Sequence, residues 1–120
     1  ISGPNSYDKA KLVAKTIWER LKLAGTIFNK KNTEYLGFNS CHKNINLKYG
    51  GANEIVLRLS VKDDNREKVE RFSKEISPII TSGPPGVTGF SGGRPKVQDV
   101  ISFWPALIDK KLITTNVKIL

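Results

Sequence analysis

A glycine- and proline-rich stretch at residues 81–95 constrains this chain more than any other feature. It holds five glycines and three prolines, together with Val87, Phe90 and Arg94, between two hydrophobic segments. Glycine allows positive φ and close backbone approach, while proline restricts the chain, so this composition predicts a shaped loop rather than a flexible linker. The stretch contains no lysine followed by a hydroxyl residue, and no helical pattern follows it. It therefore matches neither a P-loop nor a dinucleotide-binding fingerprint.

What remains in this glycine loop is a row of backbone N–H groups beside one guanidinium. Such a nest of donors, with Arg94 at its exit, suits a phosphate or a carboxylate, because arginine can grip two oxygens at once. The alternative interpretation is a structural loop that packs on the domain edge or on another part of a longer chain. The residues alone leave both interpretations open.

The charge of the chain favours anionic partners. Lysine and arginine total 20 against 11 aspartates and glutamates, which gives a net charge of +9. The basic residues are scattered, with no run of five or six, so we do not expect a nucleic-acid partner. No apolar run approaches the roughly 20 residues of a membrane span, so we expect no membrane partner.

The ends of the chain and its cysteine content suggest its context. The sequence starts at Ile1 and contains no methionine, so we expect residues 1–120 to be a single α+β domain from a longer protein. The remainder of that protein is then the first expected partner. Cys41 is the one cysteine, which excludes an internal disulfide and fits a cytoplasmic location.

The hydrophobic periodicity predicts two helices and four strands. Apolar residues recur every three or four positions over residues 7–24, which predicts a helix that Gly25 ends. The same spacing predicts a second helix after Asp64, which has capping-box spacing to Glu67, and Pro78 should end or kink this helix near Ser77. Strict alternation over residues 54–61 predicts a half-buried strand. Further strands are expected at 33–39, 97–108 and 113–120. This order predicts an α+β fold, a two-layer sandwich with a mostly antiparallel sheet of about four strands and two helices on one face.

The sequence offers little for metal or nucleophilic chemistry. His42 is the only histidine, and it directly follows Cys41, so the two side chains would point to opposite faces of an extended segment. One histidine and one cysteine are too few ligands for a protein zinc site. We therefore expect no metal and no cofactor, and no catalytic residue can be assigned.

Three blocks of the sequence together resemble a known family. They are Tyr35-Leu-Gly-Phe-Asn-Ser-Cys-His42, Val56-Leu-Arg-Leu-Ser-Val-Lys-Asp63 followed by Arg66-Glu67, and the glycine loop from Ser82 to Val97. In this spacing they are similar to the acyclic terpene utilisation protein family, in the C-terminal part of its large domain. The family is associated with the breakdown of branched terpenoid acids as CoA thioesters.

The resemblance implies a domain that binds or acts on a branched-chain acyl-CoA or a related anionic metabolite. It also implies a ligand-binding surface whose members are Asn39, Ser40, His42, Gly83, Gly86, Gly89, Gly92, Gly93 and Arg94. The alternative is a basic binding or assembly module that contacts RNA or a protein partner and has no catalytic role. Self-association into a homo-oligomer is also left open.

Overall fold

The computed structural model describes residues 1–38, 40 and 52–119, and within them three helices and two strands. In chain order these are α1 (Ser6–Leu23), β1 (Lys30–Leu36), β2 (Val56–Lys62), α2 (Arg66–Ile76) and α3 (Pro78–Ser82). A short 3-10 turn follows at Lys110–Leu112. This content confirms the predicted α+β class. In the described ranges, no helix is both long and apolar enough to cross a membrane.

Helix α1 forms where the sequence predicts it, because its apolar positions lie on one stripe. Its buried hydrophobic residues are Ala10, Val13, Ala14, Ile17 and Leu21. Gly25 lies two residues after the last residue of the helix and has a φ of 71°, in the left-handed region. The N–H of Gly25 donates to the carbonyl of Lys22, and that of Thr26 to the carbonyl of Leu21, both at 2.9 Å. These two bonds form a Schellman motif, which ends the helix where the glycine predicts.

The sheet contains two antiparallel strands. Pairing runs from Lys30 opposite Lys62 to Leu36 opposite Val56, so every residue of one strand has a partner on the other. Strand β1 begins at Lys30, three residues before the predicted start. Along β2 the burial alternates as predicted, and the side chains that pack against the helices are Leu57, Leu59 and Val61.

A short segment at residues 1–3 extends the pairing beyond the start of β2. The backbone nitrogen and carbonyl of Ile1 both bond to Ile55, each at 2.9 Å, and the N–H of Gly3 donates to Asn53 at 2.8 Å. Ile55 is fully buried. Residues 1–3 therefore pair with residues 53–55 on the side opposite to β1.

The second helix starts and ends at residues with clear capping roles. The Asn65 side chain accepts from the N–H of Glu67 at 2.9 Å and from that of Lys68 at 3.3 Å, so the N-cap lies one residue after the predicted Asp64. At the other end, Pro78 occupies the first turn of α3, and α2 ends at Ile76. A proline lacks the N–H that continues a helix, so the predicted break near Ser77 is confirmed.

The core lies between the two long helices and β2. Its buried members are Val13, Ile17, Leu21, Phe72 and Ile79. The Trp18 ring stacks on Phe72 with 5.9 Å between centroids, and its Nε1 donates to the Thr33 hydroxyl at 3.0 Å. One tryptophan of α1 therefore contacts both α2 and β1.

A buried carboxylate joins α1 to α2. Glu75 is 6% exposed, and it accepts from Arg20 of α1, with Nε and Nη2 at 3.0 and 2.9 Å from Oε2. Arg71, one turn earlier on α2, lies 2.7 Å from Oε1. Both oxygens of Glu75 thus have a guanidinium partner, which a carboxylate needs when it leaves water.

The prediction of about four strands is wrong. Residues 97–119 form no strand, and in this range the only regular element is the 3-10 turn. Local composition favours a strand over 97–108, but a strand is stable only when a neighbour completes its hydrogen bonds. This segment, which we call the C-terminal arm, lies away from the rest of the chain. The radius of gyration is 20.8 Å, whereas a compact chain of 120 residues has about 14 Å.

The Asp63 carboxylate, whose side chain is 4% exposed, fixes the entry to α2. Asp63 accepts from the backbone N–H of Asn65 and from that of Asn29, both at 2.9 Å. These two bonds favour the charged form, and they hold the pKa of Asp63 below its usual value of 3.8. Asp63 thereby links the start of α2 to the segment that precedes β1.

Asp63→Asn should lower stability at neutral pH, and the difference from the wild type should shrink in acid. The folded pKa is depressed, so the stabilisation is present above the unfolded pKa and is lost as pH falls through the folded value. Urea denaturation from about pH 7 to about pH 3 measures this. The control is Asp99→Asn, whose side chain is 91% exposed and should change little. A difference for Asp63→Asn that stays constant over this range would contradict the assignment.

Candidate functional site

A groove opens between β2 and the glycine loop. It encloses about 500 Å³, which lies within the range of roughly 300–1,000 Å³ usual for small-molecule sites. One side is β2 from Val56 to Leu59, and the other is the loop from Val87 to Ser91 with Pro95. The residues that line the groove from the other elements are Ile1, Val13, Ile17, Glu54, Ile76, Ile79 and Ile80.

The floor of the groove is part of the hydrophobic core. Val13, Ile17 and Ile79 are buried in the core cluster and also line the groove. Leu57 packs against the same cluster from β2, and Val87 does so from the loop. A ligand in the groove would therefore meet mainly aliphatic carbon, with Phe90 of the loop as the aromatic member of the wall.

The polar groups of the groove lie at its rim. Arg58 of β2 forms a two-pronged bond to Glu34 directly opposite on β1, with Nε to Oε2 at 2.6 Å and Nη2 to Oε1 at 2.9 Å. Hydrogen bonding from Arg58 holds the pKa of Glu34 below its ordinary value. The other polar lining residues include Glu54, Thr88 and Ser91.

Two of the predicted glycines have structural roles. Gly83 ends α3, and its N–H donates to the carbonyl of Ile79 at 2.9 Å. A Cβ at this position would lie 2.2 Å from that carbonyl oxygen. Gly86 has a φ of 100° and accepts from the N–H of Ser2 at 2.9 Å. A Cβ there would lie 2.8 Å from Cδ of the flexible Lys9 side chain and 3.2 Å from the Ser2 carbonyl oxygen, so the positive φ is the stronger reason for a glycine.

The later glycines of the loop have room around them. Gly89 lines the groove, and a Cβ there would meet nothing within 4 Å. Gly92 and Gly93 have φ values of 81° and 72° and also border open space. Arg94 is exposed and directly precedes Pro95, a lining residue of the groove.

Three predicted site residues precede the loop: Asn39, Ser40 and His42. Ser40 is exposed and does not line the groove. Asn39 and His42 lie outside the described residues. Of the seven predicted residues that the structure describes, Gly89 is the one that lies in the groove wall, and Arg94 is next to the lining residue Pro95.

An aromatic cluster holds the end of β1 against α1. The Tyr7 ring stacks on Phe38 at 3.8 Å between centroids and meets Tyr35 edge-on at 5.2 Å. Burial raises the pKa of Tyr35. The ammonium of Lys11 lies 4.6 Å from the centre of the Tyr7 ring. This packing fixes where the chain leaves β1, immediately before the predicted residues Asn39 and Ser40.

Sequence reasoning did not identify the aliphatic floor as part of a site. Val13, Ile17, Leu57 and Leu59 follow ordinary helical and strand periodicity, and that pattern is typical of core residues. Val87 and Phe90 gave the only signal, because apolar side chains within a glycine loop indicate a packed wall. Among the described residues, no group of three or more histidine, cysteine, aspartate or glutamate side chains could hold a metal ion.

Fold and groove define a small α+β domain with an apolar groove between an edge strand and a glycine loop. The family model described as "Acyclic terpene utilisation family protein AtuA" matches residues 1–119. The chain belongs to this family, and the resemblance carried by the three sequence blocks is confirmed. No curated protein and no solved structure matches the chain.

Gly83→Ala should destabilise the domain, whereas Gly89→Ala should not. The added methyl at position 83 meets a backbone oxygen at 2.2 Å, so α3 or the loop must shift. We expect a loss of about 1–3 kcal/mol at position 83 and a change within about 0.5 kcal/mol at position 89. Urea denaturation of both variants measures the difference. Equal stabilities would contradict the structural role given to Gly83.

Proposed function

We propose that this domain binds a branched-chain acyl-CoA, or a related anionic metabolite, with the acyl group in the groove beside β2. The observation that carries the proposal is the groove itself, which has an aliphatic floor and polar groups only at its rim. Membership of the acyclic terpene utilisation family supports this class of ligand, because branched carbon chains are what such a floor accepts.

The acyl group supplies the apolar part of the binding energy. Burial of each methylene or methyl group is worth about 0.8 kcal/mol. Four buried carbons of a 3-methylbutanoyl group then contribute about 3 kcal/mol, or roughly a hundredfold in affinity over free CoA. Val13, Leu57 and Val87 are the side chains that would receive these carbons, from α1, β2 and the loop respectively.

The anionic part of the ligand would contact the outer half of the glycine loop, residues 89–94. Gly92 and Gly93 adopt positive φ in open space, so their N–H groups can reach an incoming oxygen. Arg94 follows them directly, and within the described ranges it has no hydrogen-bond or ion-pair partner. A guanidinium beside backbone donors suits a phosphate or a carboxylate.

Calorimetric titration with 3-methylbutanoyl-CoA and with free CoA tests the proposal. We expect the thioester to bind about a hundredfold more tightly than free CoA. Arg94→Ala should weaken binding of both about fivefold, because an exposed charged hydrogen bond is worth about 1 kcal/mol. Arg94→Lys should retain part of the affinity. The matched control is Lys74→Ala, which removes an exposed cation of α2 that does not line the groove.

Two outcomes would contradict different parts of the proposal. Equal affinity for the thioester and for free CoA would show that the groove does not take the acyl group. Equal affinity of the wild type and Arg94→Ala would remove the anion-binding role of the loop. Absence of any heat with either ligand would overturn the proposal as a whole.

A further inference from the structure

Strand β2 has one edge that no other part of the described chain covers. Its first edge pairs with β1 over its whole length. On the opposite edge, residues 1–3 pair with residues 53–55, just before β2 begins, and the described sheet contains no third strand. From Leu57 onward, this edge faces the groove, which Leu57 and Leu59 line.

The alternation of the strand identifies which backbone groups lie on the open edge. Residues two apart in an antiparallel strand direct their N–H and C=O groups to the same side. Ile55 bonds to Ile1 through both its N–H and its carbonyl, so it points to the edge opposite β1. Burial alternates without interruption from Ile55 to Val61, which excludes a bulge. The backbone groups of Leu57, Leu59 and Val61 therefore face the open edge and can accept another strand.

The C-terminal arm provides a segment with the composition of a strand and no place on its own domain. Phe103 and Leu107 are fully exposed, and Trp104 is 89% exposed. The other exposed large hydrophobic residues of the arm are Val100, Ile101, Ile108, Leu112, Ile113, Val117 and Ile119. A segment with this much exposed apolar side chain is typical of an interaction site. Among the described residues, its one ion pair to the domain joins Asp99 to Arg66 at 4.0 Å.

The first part of the C-terminal arm, residues 97–109, is acidic, whereas residues 110–119 contain three lysines. Residues 97–109 contain Asp99 and Asp109 and no lysine or arginine. Residues 1–96 contain 17 lysines and arginines against 9 aspartates and glutamates. Lys62 is among these cations, and it belongs to β2. The acidic, apolar residues 97–109 and a basic domain with an open strand edge attract each other.

We propose that two copies of this chain associate by exchanging arms, each adding residues 97–104 to the open edge of β2 of the other copy. One chain carries both complementary parts, so two copies form a closed, symmetric pair with no part left over. Main-chain hydrogen bonds to Leu57, Leu59 and Val61 give the affinity, and apolar side chains of the arm cover the groove. Pro105 ends the added strand, because it has no N–H for the ladder.

Sedimentation velocity of residues 1–120, without ligand and over about 1–100 μM, tests the exchange. The wild type should sediment with twice the monomer mass of 13.3 kDa. Phe103→Glu combined with Leu107→Glu should raise the dissociation constant at least about a hundredfold. Phe103 belongs to the added strand, and Leu107 lies two residues beyond Pro105, among the apolar side chains that cover the groove, so each glutamate introduces a charge into an apolar contact. Both side chains are fully exposed within the monomer, so the fold should persist. The matched control is Val117→Glu, which is 85% exposed and lies beyond the added strand, and it should leave the dimer intact.

Chemical cross-linking separates exchange between copies from closure of an arm on its own domain. In a Cys41→Ser background, one tagged chain carries Ser102→Cys and an untagged chain carries Ser60→Cys. A bismaleimide should join the two different chains, and the Phe103→Glu, Leu107→Glu pair should abolish the product. A wild-type monomer throughout the concentration range would overturn the proposal, and so would a dimer that the arm variant leaves unchanged. A third chain carries both Ser102→Cys and Ser60→Cys. If this chain forms an internal cross-link while the two singly substituted chains are not joined, the edge of β2 binds the arm of its own chain instead.

Discussion

Strand β2 is the element on which the rest of the structure depends. One of its faces carries Leu57, Leu59 and Val61, and the long helices pack on that face. One of its edges pairs with β1, and on the side of the other edge residues 1–3 pair with residues 53–55, just before β2 begins. The same leucines then form a wall of the groove. A single alternating segment thus determines the core, the sheet and the candidate site together.

The glycine loop combines two functions that its composition does not separate. Gly83 lies against the Ile79 carbonyl oxygen of α3, which excludes a Cβ, and Gly86 accepts from the N–H of Ser2 and has a positive φ. These two glycines fix the inner half of the loop, residues 83–86. Gly89, Gly92 and Gly93 lie in open space and leave the outer half accessible. The structural and the ligand-binding interpretations of the loop therefore apply to different halves of it. A fixed inner half is what lets the outer half present its donors in a defined position.

The sequence predicts those elements whose stability is local or patterned. Helix α1 follows its apolar stripe and ends at Gly25, β2 follows strict alternation, and Pro78 ends α2. Residues 97–108 have equally favourable composition, yet they form no strand, because a strand also needs a neighbour and the sequence does not say which one it has. The groove was not predictable either, since Val13 and Leu57 have the spacing of any core residue.

The proposed exchange of arms requires the edge of β2 that no described residue covers, and amide hydrogen exchange measures that edge directly. In the Phe103→Glu, Leu107→Glu variant, the amides of Arg58 and Ser60 should exchange slowly, because their side of the strand faces β1. Those of Leu57 and Leu59 should exchange much faster, because their side is open. This alternation, resolved residue by residue by NMR, is the expected result. Uniform protection along β2 would contradict an open edge, and the basis for the exchange of arms would fail with it.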